Sequence, residues 1–110
     1  MNFLRGQIYR VNLEPVAGGE QQGEARPCVV ISLTPFNLKL RTVAIVPLSS
    51  SPRPRPPLII ATPSAGKPTS VALAYQIRVA DKSRLGRSMG ALSSEDMNAV
   101  EDGVRKFLGL

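Results

Sequence analysis

Through most of this chain the hydrophobic residues recur at every second position, and only after Ser93 do they recur at every third or fourth. Side chains alternate across a strand with period two and line one face of a helix with period 3.6. That order of patterns predicts a sheet followed by one C-terminal helix. Tyr9, Val11 and Leu13 alternate with Ile8, Arg10 and Asn12, which marks a strand over residues 7–13 that stops at Glu14-Pro15. Cys28-Val29-Val30-Ile31 is an unbroken apolar, largely β-branched run, expected of a central strand buried on both faces. A turn at residues 34–37 leads to a third strand over 42–48, and residues 58–61 form a short fourth. Val71, Leu73, Tyr75, Ile77 and Val79 then alternate against Ala72, Ala74, Gln76 and Arg78. This predicts one continuous strand with Tyr75 in the core beside Leu73 and Ile77, and with Gln76 and Arg78 on the opposite, more polar face. A last short piece is expected at residues 88–92.

Ser93, with Asp96 three residues on, is close to a capping box, and Met97, Val100, Val104, Phe107 and Leu108 follow at helical spacing. The helix is therefore amphipathic and packs on the sheet. Gly103 inside it costs about 1 kcal/mol relative to Ala, so packing must supply the helix's stability. Between the strands, residues 16–25 carry Gly18, Gly19 and Gly23 and read as a surface loop closed by Arg26-Pro27. Residues 49–57 hold four prolines and two arginines, which excludes a central strand or helix there. At 110 residues, with no repeat and no linker, the chain is one domain spanning 1–110.

Charge narrows the function. Lys and Arg total 14 against 8 Asp and Glu, a net +6, and ten of the 14 are Arg, which points to polyanionic partners. Histidine is absent, which removes imidazole acid–base pairs, Ser/His/Asp systems and most zinc sites. Cys28 is the single cysteine, so neither an intrachain disulfide nor a thiolate metal site is available from one chain. The eight acids are scattered, without the clustering that magnesium or calcium needs; no metal and no cofactor are expected. The start of the chain lacks a signal-peptide pattern and no apolar run nears the ~18–20 residues of a membrane span. A cytoplasmic protein with no membrane partner is expected.

Four places concentrate polar chemistry. Glu20 and Arg26 flank one loop and form either a surface ion pair worth ~0–1 kcal/mol or a pair in which Arg26, held by Pro27 at the mouth of a buried strand, grips a phosphate. Position favours the second. Ser49-Ser50-Ser51 are either solvated turn residues or hydroxyls that hydrogen-bond a phosphoryl oxygen. Arg53 and Arg55 either keep a sheet edge soluble or line a nucleic-acid groove without reading sequence; Lys82, Arg84 and Arg87 carry the same two readings. Gln76 is the better candidate of its strand for a base edge, and Cys28 reads as a small core hydrophobe.

Several segments together resemble the MazF/PemK (Kid) toxin ribonucleases: residues 5–13, Gly18-Gly19-Glu20-Gln21, Arg26-Pro27-Cys28-Val29-Val30-Ile31-Ser32, Val46-Pro47-Leu48-Ser49, Ala74-Tyr75-Gln76-Ile77-Arg78, residues 81–86 and the closing helix. The resemblance implies a mainly β fold, a twisted antiparallel sheet forming an SH3-like (CcdB/PemK-type) barrel with a C-terminal helix. It also implies a homodimer whose groove holds single-stranded mRNA, and a cognate antitoxin with an acidic disordered segment as partner. Such enzymes cut without metal, by attack of the ribose 2′-hydroxyl on the adjacent phosphate. The family's catalytic Arg and Thr fall on Arg26 and, with substitution, Ser49. Glu20 either orients Arg26 or accepts the 2′ proton. The residues assigned to RNA contact are Gln21, Ser50, Arg53, Arg55, Tyr75, Gln76 and Arg78. Tyr75 stands where the family commonly has an acid, and the segment from Glu20 to Arg26 is one residue longer than usual. A gyrase-binding CcdB-like protein and a non-catalytic RNA-binding module on the same scaffold are the alternatives.

Overall fold

Cys28, Val29 and Val30 have no exposed surface, and the strand that carries them is central, as its unbroken apolar run demands. The computed structural model describes residues 2–13 and 25–110. In it β2 (Ala25–Val30) lies between β1 (Gln7–Asn12) and β3 (Thr42–Ser49), antiparallel to both. With β4 (Ile59–Ala61), β5 (Val71–Leu73), β6 (Arg78–Asp81) and β7 (Leu85–Ala91) they form a seven-stranded sheet ordered β4-β5-β3-β2-β1-β7, β6 also pairing with β3.

The connection from β6 to β7 forces this sheet to curl. β6 lies on the outer edge of β3 and β7 on the outer edge of β1, yet only the 3-10 turn Lys82–Arg84 separates them. Five strands laid flat would put those edges ~19 Å apart, at ~4.8 Å per strand. The four Cα steps from Asp81 to Leu85 reach ~14 Å at full extension, so the sheet closes into a barrel. Inside it Tyr9, Val11, Cys28, Val30, Ile45 and Leu85 form one core. On the opposite face of the same central strands, Ile8, Val29, Val46 and Leu48 pack against Met97, Val100 and Val104 of the C-terminal helix. The fold is the mainly β, SH3-like barrel with a C-terminal helix that the family resemblance implies.

That helix, Ser94–Leu108, begins where its sequence places it: the Ser93 side chain accepts a hydrogen bond from the Asp96 N–H. Its apolar face is shorter than the spacing suggests. Phe107 and Leu108 lie half-exposed in the last turn, beyond the core that Val104 closes.

Other local expectations are corrected. Residues 34–37 belong not to a turn but to a short helix, α1 (Thr34–Lys39), with Pro35 in its first turn; the closing helix is therefore α2. Proline is tolerated in a first helical turn, so the same residues suit a turn or a helix start. The buried Asn37 decides between them, its Nδ2 donating to the carbonyl oxygens of Phe3 (2.8 Å) and Ser32 (3.0 Å). The strand expected over residues 71–79 is two strands, β5 and β6, separated by a 3-10 turn at Ala74–Gln76. Both pair with β3, but from Ala72 to Arg78 the chain spends six residues while β3 advances three, from Leu48 to Ile45. An odd insertion reverses the facing, so Leu73 is buried before it, Ala80 is buried after it, and Val79 is exposed. Tyr75 consequently leaves the core: it is 41% exposed. β7 starts at Leu85 rather than 88, with two irregularities in its register against β1.

Candidate active site

The register of β2 on β3 builds the site. Cys28 pairs with Pro47, Val29 with Val46 and Val30 with Ile45. Extending that antiparallel register by two residues sets Arg26, near the start of β2, level with Ser49, the last residue of β3. The two strands are buried over residues 28–30 and 45–48, so the spacing of Arg26 and Ser49 is held by the core.

Arg26 is part-buried, and its Nη2 donates to the Leu48 carbonyl at 3.4 Å. Among the described residues no carboxylate pairs with it; the two ion pairs found there are Arg5–Glu101 and Lys106–Asp102, both remote from Arg26 in the chain. The Ser51 N–H donates to Ser49 Oγ at 3.3 Å, which occupies an acceptor site and leaves the Ser49 hydroxyl proton to donate elsewhere. Both residues line one cleft of about 410 Å³, together with Ile8, Pro27, Leu48, Ser50, Lys67 and Ser70.

Under this cleft Cys28 is inert. Burial pushes its thiol up to about 12, against the opposing pull of the Arg26 and Arg78 guanidinium groups. It donates to the Arg26 carbonyl at 3.6 Å and serves as the small core hydrophobe its strand predicts.

Of the other residues singled out by sequence, Ser50 lines the main cleft and Arg53 lines an adjoining depression that shares Ser50 and Ser70 with it. Arg55, Tyr75, Gln76 and Arg78 line neither. Tyr75 and Gln76 do not point to opposite faces: Gln76 Nε2 donates to the Tyr75 hydroxyl at 3.0 Å, and both sit on the 3-10 turn. Arg78 lies across β3, paired with Ile45. Glu20 and Gln21 fall outside the described residues. Sequence reasoning missed Lys67 and Ser70 altogether. Their segment, residues 62–70, has no hydrophobic period; the available signal was a lone Lys amid small turn residues. Among the described residues no three His, Cys, Asp or Glu gather as metal ligands, and no helix is long and apolar enough to cross a membrane.

An arginine and a hydroxyl presented together at the end of two central strands suit a phosphoryl group, and comparison with known proteins identifies the setting. The pattern of the PemK-like, MazF-like toxins of type II toxin–antitoxin systems matches residues 4–108. The chain belongs to that family. It is 30% identical to endoribonuclease MazF9 of Mycobacterium tuberculosis, the match covering 96% of each chain. It is 34% identical to endoribonuclease MazF of Staphylococcus saprophyticus, over 96% of this chain and 91% of that one. A solved mycobacterial endoribonuclease in complex with its cognate antitoxin shares the fold with a TM-score of 0.80 at 29% identity, covering 97% of this chain and 95% of that one. A match over residues 4–108 supports the MazF/PemK ribonucleases rather than the gyrase-binding alternative. Within this MazF/PemK chain, Arg26 and Ser49 thus stand both where the resemblance puts them and where the β2–β3 register brings them together.

Proposed function

We propose that this toxin endoribonuclease cuts single-stranded mRNA without metal, in the cleft between Arg26 and Ser49. The observation that carries the reading is the level placement of those two residues at the ends of β2 and β3, on one cleft. In the reaction the ribose 2′-oxygen forms a bond to the adjacent phosphorus as the bond to the 5′-oxygen breaks. The 2′ proton leaves to a base, the departing 5′-oxygen takes up a proton, and the products are a 2′,3′-cyclic phosphate and a 5′-hydroxyl. Charge accumulates on the non-bridging oxygens along the way. Arg26, always cationic and with no carboxylate partner among the described residues, supplies fixed donors to that charge. Ser49 donates its free hydroxyl proton to a non-bridging oxygen. Glu20 enters from outside the described residues, to orient Arg26 or to take the 2′ proton.

The same basic cleft suits the acidic, disordered segment of a cognate antitoxin, which would exclude RNA by occupying its phosphate positions. A homodimer acting in the cytoplasm completes the reading, and gives Tyr75, Gln76 and Arg78, which do not line the cleft in one chain, a route to RNA bound in a shared groove. The test is cleavage of defined RNA by the purified protein in EDTA, with product ends analysed. Cyclic-phosphate ends are expected, and Arg26→Ala slows cleavage by about 10²–10³ with an unchanged circular dichroism spectrum. If Arg26→Ala cuts as well as the parent, or if the ends are not cyclic phosphates, the reading fails.

A further inference from the structure

One segment lining the cleft is built more carefully than an exposed loop requires. The segment from Thr62 to Ser70 is closed on itself: the Thr62 N–H donates to the Ser70 carbonyl at 2.9 Å, the Ser70 N–H to the Lys67 carbonyl at 2.9 Å, and the Lys67 N–H to Ser70 Oγ at 3.2 Å. It is also pinned to α2. The Ser64 N–H donates to Asp96 Oδ2 at 2.9 Å, the Ser64 hydroxyl donates to the same oxygen, and Ser64 Oγ accepts from the Ser93 N–H at 2.9 Å. Thr62 and Ser70 are buried at the two ends of the segment. One cation rides on this fixed support. Lys67 lines the same cleft as Arg26 and Ser49, is exposed, and has no carboxylate partner among the described residues.

We propose that Lys67 holds a phosphate of the RNA backbone next to the scissile one, so that the cleft grips two consecutive phosphates. The inference rests on the reading of the site given above. It assigns the wall residues distinct tasks: Arg26 and Ser49 act on the phosphate that reacts, while Lys67 acts as a point charge on a neighbour that stays intact. The adjoining depression continues the track. It shares Ser50 and Ser70 with the main cleft and leads to Arg53, so the strand leaving Lys67 meets another cation along the same line.

Lys67 is exposed and its side chain makes no hydrogen bond among the described residues, so its replacement leaves the fold intact. Binding of a mixed-sequence single-stranded RNA with methylated 2′-hydroxyls, which cannot be cut, is measured against salt for the parent, Lys67→Ala and Lys67→Arg. Loss of one phosphate contact on a single strand lowers the slope of log K against log salt by about 0.7, and Lys67→Arg restores it. In cleavage of a long mRNA transcript, Lys67→Ala raises KM about tenfold with kcat within about twofold, the signature of binding shared by ground and transition states. An unchanged slope, or a fall in kcat at constant KM, overturns the assignment. If the parent itself does not cut RNA, or Arg26→Ala cuts normally, the reading of the site has failed instead; the binding measurement with uncuttable RNA still decides for or against Lys67.

Discussion

Gly103 lies in the middle of α2, where helix propensity alone says that Ala would be better by about 1 kcal/mol. The packing says the opposite. A Cβ at position 103 would stand 2.8 Å from the Pro57 carbonyl oxygen, 2.9 Å from Ile60 Cγ1 and 3.0 Å from Ile60 Cδ1. Ile60 is itself buried, so its side chain cannot swing clear, and Pro57 presents backbone. Relieving these contacts means moving the helix off β4, a cost of about 2–3 kcal/mol for overpacking of this kind. Subtracting the propensity gain leaves a net loss of about 1–2 kcal/mol for Gly103→Ala, or a Tm lower by about 4–8 °C in a domain of this size. Urea unfolding followed by circular dichroism, at one fixed protein concentration because of the proposed dimer, measures it. A Gly103→Ala variant more stable than the parent would refute the close approach of α2 to Pro57 and Ile60. Pro57 also closes the loop that carries Arg53, so the same substitution weakens RNA binding slightly.

Two further predictions follow from the buried polar groups. Cys28 binds its proton more tightly when folded, its thiol moving from 9.0 up to about 12, so its contribution to stability is full below pH 9 and is lost as pH rises toward 12. Across that window the parent loses about 1.4 kcal/mol per pH unit relative to Cys28→Ala, read by urea titrations of the two side by side; parallel pH profiles would contradict it. Asp96→Ala strips the acceptor from the Ser64 N–H and hydroxyl and costs about 1–3 kcal/mol in the same assay. A loss within experimental error of zero would mean that the segment from Thr62 to Ser70 holds itself in place.

The elements that sequence reading located are those in which one local rule governs. The unbroken, largely β-branched run from Cys28 to Val30 suits a two-sided strand, and Ser93 with Asp96, ahead of apolar residues at helical spacing, suits a helix start. It failed where two rules coincide on the same residues. Thr34 to Asn37 satisfy a turn as well as a first helical turn, and the choice lies in the contact of Asn37 with Phe3, more than thirty residues away. The alternation from Val71 to Val79 is apolar enough for one strand, yet both β5 and β6 pair with the same edge of β3, and the three extra residues between them reverse the facing midway. For the site, Arg26 and Ser49 were legible because each adjoins a recognisable strand. Lys67 was not, since the hydrogen bonds that bring its segment to the cleft run to Asp96 and Ser93 on a distant helix.

The absence of histidine shapes how such a site must work. On the proposed mechanism, with no imidazole to move protons in the neutral range, the rate comes mainly from stabilising charge on the phosphorane, and that requires donors fixed in advance rather than groups that adjust. Placing Arg26 and Ser49 on adjacent antiparallel strands meets this need, because their separation is set by the β2–β3 pairing and by side chains such as Val29 and Val46 that have no room to move. Loosening that pairing should therefore cost catalysis before it costs folding. Val46→Ala, which removes two buried methyl groups from the β2–β3 pairing without touching substrate, is expected to lower kcat more than the small loss of folded population accounts for, at a temperature well below its Tm. If kcat instead stays at the parent's value while stability falls by the ~1–3 kcal/mol expected of such a truncation, the strand pairing is not what positions the two residues.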